Sequence, residues 1–220
     1  MIKAVIYDLD GTLLDTLSTI TYYGNKAMEH FGLAGFEDKR YRYFVGDGAR
    51  VLIKRLIEAN NADAKEYFER AFEHYNEIYN AAPLYLTSPY DGITELVEKL
   101  GEMGIKQAVL SNKPDFAVKS NVSHFFGDSF DKVYGARDGV PLKPDPAMLK
   151  ALLAELDVTP DECIYVGDTD VDMKTGRAAG AYTVGVLWGF RDRAELEANG
   201  ADAIVSTPSE IADIIRKING

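Results

Sequence analysis

Asp8 and Asp10 close a short apolar run, Ile2-Lys3-Ala4-Val5-Ile6-Tyr7-Asp8-Leu9-Asp10, and Gly11 and Thr12 follow at once. Burying charge is costly unless a cation or hydrogen bonds compensate. Two carboxylates at a strand end therefore point to a metal or a reacting phosphoryl group. The competing reading is an Asp-Gly turn closing a hairpin, but the residues downstream read as helix and not as a returning strand. Three more segments end in polar residues of different kinds. Ala108-Val109-Leu110 runs into Ser111-Asn112-Lys113. Lys143 lies in Val140-Pro141-Leu142-Lys143-Pro144-Asp145-Pro146, and Ile164-Tyr165-Val166 runs into Gly167-Asp168-Thr169-Asp170-Val171-Asp172. Together they offer a nucleophile, a second carboxylate, a hydroxyl, an ammonium and an acidic cluster.

Such a set matches what phosphate-ester hydrolysis requires, because the transferring group carries charge on oxygens that cations and amides must clamp. A carboxylate attacks a phosphate only when a metal screens their repulsion, and Mg²⁺, which takes oxygen ligands and few protein carboxylates, suits that role. Asp8 would then be the nucleophile. Asp10 would protonate the leaving alkoxide and deprotonate the water that clears the intermediate.

The elements that must position these residues alternate along the chain. After the first strand, residues from Thr16 to Ala82 show apolar and aromatic side chains at helical spacing, with breaks at Gly32 to Gly35 and Asn60 to Asp63 that leave three or four helices. The stripe Tyr67, Phe68, Ala71, Phe72, Tyr75, Ile78 and Tyr79 is read as packing between helices. Asp15 is read as the cap of the first of them. Beyond Pro83 to Pro89 the rhythm changes. Strands are expected at Ile105–Leu110, Lys132–Tyr134, Cys163–Val166, Tyr182–Val186 and Ala203–Val205. Helices are expected at Ile93–Met103, Pro114–Phe126, Pro146–Leu156, Met173–Ala179 and Ser209–Ile218. Repeated βα units predict an α/β fold: a doubly wound, Rossmann-like parallel sheet with ligands beyond the carboxyl ends of its strands. Residues 1–15 and 83–220 form that core in this reading, with 16–82 as an inserted α-helical cap and hinges at Leu14 to Leu17 and Ala82 to Ser88.

With 220 residues the chain can bury a full core without staples, and its single cysteine rules out a disulfide framework. That cysteine count and a start without signal-peptide pattern imply a reducing, cytoplasmic setting. No apolar run reaches membrane-spanning length, and the net charge of −11 argues against nucleic acid or anionic membrane as partner. A small phosphorylated metabolite remains, for a monomer or a homodimer. Asp168, Asp170 and Asp172 fail as a calcium loop because Met173 stands where its glycine belongs. Cys163 reads as a core thiol, and His30, His74 and His124 show no ligand spacing.

In order and spacing, Asp8-Leu9-Asp10-Gly11-Thr12, Ser111, Lys143 before Pro144-Asp145-Pro146, and Gly167-Asp168 with Asp172 resemble the four motifs of the haloacid dehalogenase superfamily. The resemblance spans the chain, cap included. It implies Asp8 as nucleophile, Asp10 as acid/base, and Ser111 and Lys143 as the phosphate clamp. It also implies a Mg²⁺ site at Asp8, Asp10 and Asp168, with Asp172 supporting the metal or Lys143. Asp10, absent from carbon-halogen hydrolases, points to the phosphatase branch. Leaving-group choice would fall to the cap loop Phe44-Val45-Gly46-Asp47-Gly48-Ala49-Arg50, with Gly46 approaching the ligand and Arg50 meeting a carboxylate, and with Thr12 and Asn112 also at the substrate. That loop, Ser111 to Pro114 and the segment around Trp188 are similar to the phosphoglycolate-cleaving members, which makes 2-phosphoglycolate the expected substrate. Sugar-phosphate phosphatases, pyrophosphatases, phosphoglucomutases and a phospho-acceptor signalling module are the alternatives.

Overall fold

The structure, a computed structural model, describes residues 1–220. By its internal contacts the chain divides into two units, one of Met1–Asp15 with Pro89–Gly220 and one of Thr16–Ser88.

The first unit is built on six strands: β1 (Ala4–Tyr7), β2 (Lys106–Pro114), β3 (Lys132–Ala136), β4 (Cys163–Gly167), β5 (Tyr182–Val186) and β6 (Ala203–Val205). All neighbouring pairs run parallel in the order β3-β2-β1-β4-β5-β6. β1, β5 and β6 are short and rich in β-branched residues, as suits a sheet covered on both faces. Alternation within β1 shows how. Val5 and Tyr7 pack with Leu96, Leu100, Val118, Val122, Ile211 and Ile215, from α5 (Ile93–Glu102), α6 (Asp115–Phe126) and α10 (Ser209–Asn219). Ala4 and Ile6 face the other way, onto Leu149, Leu152 and Leu153 of α7 (Ala147–Glu155) and Ala179 of α8 (Asp170–Ala179). A short helix α9 (Arg193–Ala198) precedes β6. The sheet order reverses direction at β1, whose two neighbours connect to it from opposite sides, and a crevice for ligand forms at such a point.

Two element boundaries of this unit differ from the expectation by more than two residues. The strand expected to stop at Leu110 continues to Pro114, with its register slipping between Leu110 and Pro114, so Ser111, Asn112 and Lys113 belong to the strand end. Helix α8 starts at Asp170 and not at Met173, because the Asp172 carboxylate reaches back to the Thr169 amide and so caps the first turn.

The second unit is helical: α1 (Leu17–His30), a single turn α2 (Asp38–Tyr41), α3 (Ala49–Ala59) and α4 (Ala64–Ala81). Its interior holds Ile20, Tyr23, Ala27 and Met28 of α1, Leu52, Ile53, Leu56 and Ile57 of α3, and Ala71, Tyr75 and Tyr79 of α4. The ring centroids of Tyr23 and Tyr79 are 5.3 Å apart in an edge-on contact. This unit extends to Ser88, past the Ala82 expected from composition. Tyr23 Oη donates to Ala82 O, Thr19 Oγ1 donates to Tyr85 O, and Thr19 and Thr87 share a hydroxyl bond, so the segment after α4 is tied to α1. The cap position of α1 is Thr16, not Asp15, and no side chain caps it.

Candidate active site

In register, Tyr7 of β1 lies opposite Val109 of β2 and Val166 of β4. The next residues of all three strands therefore emerge at one rim. Asp8 begins there with its amide bonded to Val166 O at 2.9 Å.

Lys143 stands at the centre of the charge arrangement. Its Nζ donates to Asp172 Oδ1 at 2.8 Å and lies 2.9 Å from Asp8 Oδ1, with only 3 % of its side chain exposed. The contact to Asp8 is off the hydrogen-bonding direction, so charge and not a hydrogen bond holds that oxygen. Burial alone would lower the Lys143 pKa, yet the Asp172 and Asp8 carboxylates override it and hold the ammonium well above its ordinary range. Asp172 is saturated: Oδ1 accepts from Lys143 and, at 3.4 Å, from Tyr165 Oη, while Oδ2 accepts from Thr169 N at 3.1 Å and Thr169 Oγ1 at 2.7 Å. It is a counter-ion and helix cap in one. Of the two supporting roles open to Asp172, the one on Lys143 is the one its bonds fill.

Asp168 is fully buried and cradled from two directions. Thr12 Oγ1 donates to Oδ1 at 2.9 Å and Phe190 N to Oδ2 at 2.8 Å. A methyl group on Gly11, whose φ is +89°, or on Gly189 would strike the Asp168 side chain, so glycine is required at both. The Trp188 indole donates to Thr12 O at 3.0 Å and fastens this turn to the segment after β5.

The carboxylate oxygens of Asp8, Asp168 and Asp172 lie within 4.8 Å of one another. Burial first, then the neighbouring carboxylate of Asp172, raises Asp8 to about 6 against the lowering pull of Lys143; burial, Asp172 and Asp8 together raise Asp168 well above its usual range. Four carboxylates, Asp8, Asp10, Asp168 and Asp172, stand against two ammonium groups, Lys143 and Lys113, a formal surplus of two negative charges. An all-oxygen donor set with that surplus fits a hard divalent cation. Proximity groups three carboxylates, but the open lone pairs belong to Asp8 and Asp168.

Asp10 is separate from this trio. Its Oδ1 accepts from Lys113 Nζ at 2.7 Å. Ser111 is buried at the rim, its Oγ accepting from Lys113 N at 3.4 Å. Asn112, expected at the substrate, pairs reciprocally with the Lys143 backbone: Nδ2 to Lys143 O at 3.0 Å, and Lys143 N to Oδ1 at 2.9 Å. It splints the lysine loop to β2. Thr12 is wholly buried and spends its hydroxyl on Asp168, so it too acts through a neighbour. In the helical unit, Gly46 has φ +115° and Arg50 pairs with Glu69 at 2.8 Å, its guanidinium 4.7 Å from the ring centroids of both Phe68 and Phe72. Sequence reasoning missed Lys113, Thr169, Tyr165 and the amide of Phe190 as parts of the rim. For Lys113 a signal existed, since extending the register of β1 and β2 by a few residues carries it toward Asp10. For Thr169 the Thr-x-x-acid spacing to Asp172 is a helix-start signature, whereas nothing in the sequence marked Tyr165 or the Phe190 amide.

Fold and site together define a phosphate-handling hydrolase of the doubly wound α/β class, with its carboxylates at the switch point of the sheet. The model of the haloacid dehalogenase-like hydrolase family matches residues 5–186, and the chain belongs to that family. It is 30 % identical over 218 residues to a protein of Aquifex aeolicus named phosphoglycolate phosphatase, covering 97 % of this chain and 96 % of that one. A Pseudomonas aeruginosa N-acetylmuramic acid 6-phosphate phosphatase is also 30 % identical, over 216 residues, with 97 % and 95 % covered. Among solved structures, a provisionally named phosphoglycolate phosphatase of Lactobacillus delbrueckii superimposes with a TM-score of 0.86 at 31 % identity, covering 97 % and 98 %. The chain is a phosphatase of this family, and no helix in it is long and apolar enough to cross a membrane.

Proposed function

We propose that the chain is a Mg²⁺-dependent phosphate monoester hydrolase that works through a phosphorylated Asp8, with 2-phosphoglycolate as its substrate. The observation that carries this reading is the Asp8 carboxylate held 2.9 Å from the Lys143 ammonium inside a buried trio of carboxylates. Asp8 and Asp168 would hold the metal, and bound there it would screen the attacking carboxylate from the phosphate.

The protein's own residues then divide the work. An Asp8 oxygen attacks phosphorus and the bond to the ester oxygen breaks, while Lys143 and Ser111 hold the phosphoryl oxygens. Asp10 gives its proton to the departing oxygen. Water next attacks the phosphorus of the aspartyl phosphate, Asp10 takes a proton from it, and phosphate leaves with Asp8 restored. Asn112, Asp172 and Thr12 fix the groups that touch the substrate. Recognition of the glycolate carboxylate is assigned to residues 44–50, where Gly46 and Gly48 have φ of +115° and +89° and Arg50 offers a planar fork. Its partner Glu69 is exposed, so an incoming carboxylate would exchange like for like.

A second reading is a sugar-phosphate phosphatase, favoured by the N-acetylmuramic acid 6-phosphate relative. The test is phosphate release from 2-phosphoglycolate with and without Mg²⁺, for wild type and Asp8→Asn, beside a panel of sugar phosphates and pyrophosphate. Metal-dependent turnover that the substitution lowers by on the order of 10⁴-fold or more is expected. A panel in which 2-phosphoglycolate ranks no higher than a sugar phosphate sinks the substrate assignment.

A further inference from the structure

Two ammonium groups are buried in the α/β unit, and the reaction above gives a task only to Lys143. The other, Lys113, has a side chain 6 % exposed and donates from Nζ to Asp10 Oδ1 at 2.7 Å. An ammonium taken out of water needs a partner of this kind, so the pairing is fixed by the environment of both groups. Asp10 gains more from it than Lys113. Oδ2 accepts no hydrogen bond from the protein, so one oxygen is anchored and the other is left open to trade a proton. The strand delivers the lysine by an irregularity. Between Leu110 and Pro114 the β2 register slips, and Ser111, Asn112 and Lys113 are all buried where a regular strand would alternate. That slip brings the hydroxyl of Ser111, the splint of Asn112 and the anchor of Asp10 to one rim.

We infer that Lys113 is the positioning residue for Asp10, anchoring Oδ1 so that Oδ2 stands ready for proton transfer. The inference rests on the proposed function, in which Asp10 is the acid/base. A carboxylate on a short, rotatable side chain transfers protons efficiently only when held near its productive geometry, and no other side chain bonds the Asp10 carboxylate.

The test is a double-mutant cycle with Mg²⁺ on three esters: 2-phosphoglycolate, ethyl phosphate and 4-nitrophenyl phosphate. Lys113→Met, Lys113→Arg, Asp10→Asn and both charge-removing changes combined are compared with wild type, each shown folded by its thermal melt. Lys113→Met is expected to lower kcat about 10²-fold on the two alkyl esters while KM stays within about threefold. The nitrophenyl ester, whose leaving group needs no proton, should lose far less. In the Asp10→Asn background the same change should cost less than about twofold, because it acts through a group already gone. Lys113→Arg should recover about tenfold of the loss, and if the methionine variant does not fold, the arginine change in the two backgrounds decides. An equal loss with and without Asp10 overturns the inference, as does a loss confined to KM for 2-phosphoglycolate, which would make Lys113 a contact of the substrate's carboxylate. Wild type that turns over none of the esters overturns the proposed function and this inference with it. Turnover with additive losses overturns the inference alone.

Discussion

The two units treat charge in opposite ways. At the rim of the sheet Lys143, Asp172 and Asp168 are almost wholly buried, and each is held by two or more partners that leave little room to move. In the helical unit, Arg50 and Glu69 pair with 56 % and 68 % of their side chains exposed, and Arg55 and Asp47 pair half-buried. Buried pairs resist change because breaking one leaves an uncompensated charge in a dry place, whereas exposed pairs exchange partners with water at little cost. A phosphatase gains from this division, since phosphate is the same in every substrate and the leaving group is not. The two relatives named for phosphoglycolate and for N-acetylmuramic acid 6-phosphate, each at 30 % identity over almost the whole chain, are what such a division would produce.

The comparison breaks most easily at Asp172. Asp172→Asn removes the hydrogen-bonded counter-ion of Lys143 and weakens the cap of α8, so a loss of about 3–5 kcal/mol in urea unfolding is expected, with activity falling as Lys143 shifts toward Asp8. A loss under about 1 kcal/mol would mean that the rim tolerates charge change as a surface does.

Thr12→Val and Gly11→Ala sharpen the same contrast without altering a charge. The first takes a hydrogen bond from Asp168 and the second drives a methyl group into it, at a glycine that also needs positive φ. Each is expected to raise the Mg²⁺ concentration for half-maximal activity by about 10–100-fold, the usual range for groups that orient a ligand. An unchanged metal titration in both would remove Asp168 from the metal site.

Most of the α/β unit was legible in the sequence because its signals are local. A four-residue apolar run ending in Asp, Ser or Gly-Asp is short enough to read whole, and Tyr182–Val186 and Ala203–Val205 needed no tertiary information. What escaped depended on pairing across distance. Lys113 stands in the polar strand end Ser111-Asn112-Lys113, but its role emerges only from its pairing with Asp10, 103 residues away. Thr12 and Asn112, expected at the substrate, bond Asp168 and Lys143, 156 and 31 residues away. The end of the helical unit was missed for the same reason, since Ala82 to Thr87 looks like a linker until Thr19 and Tyr23 bind it.

The smallest effect expected is also the one that tests the recognition half. Arg50→Ala deletes one exposed ion pair and a guanidinium lying against Phe68 and Phe72, worth together no more than about 1–2 kcal/mol. Its kinetic signature carries the information. If Arg50 meets the glycolate carboxylate, KM for 2-phosphoglycolate rises about tenfold or more while ethyl phosphate, which has no carboxylate, is untouched. If both esters are unaffected, the guanidinium serves only to tie α3 to α4, and the loop at Gly46 loses its charged element of recognition. The rim would keep its chemistry in either case, because none of the partners that hold Asp8, Lys143 and Asp168 belongs to the helical unit.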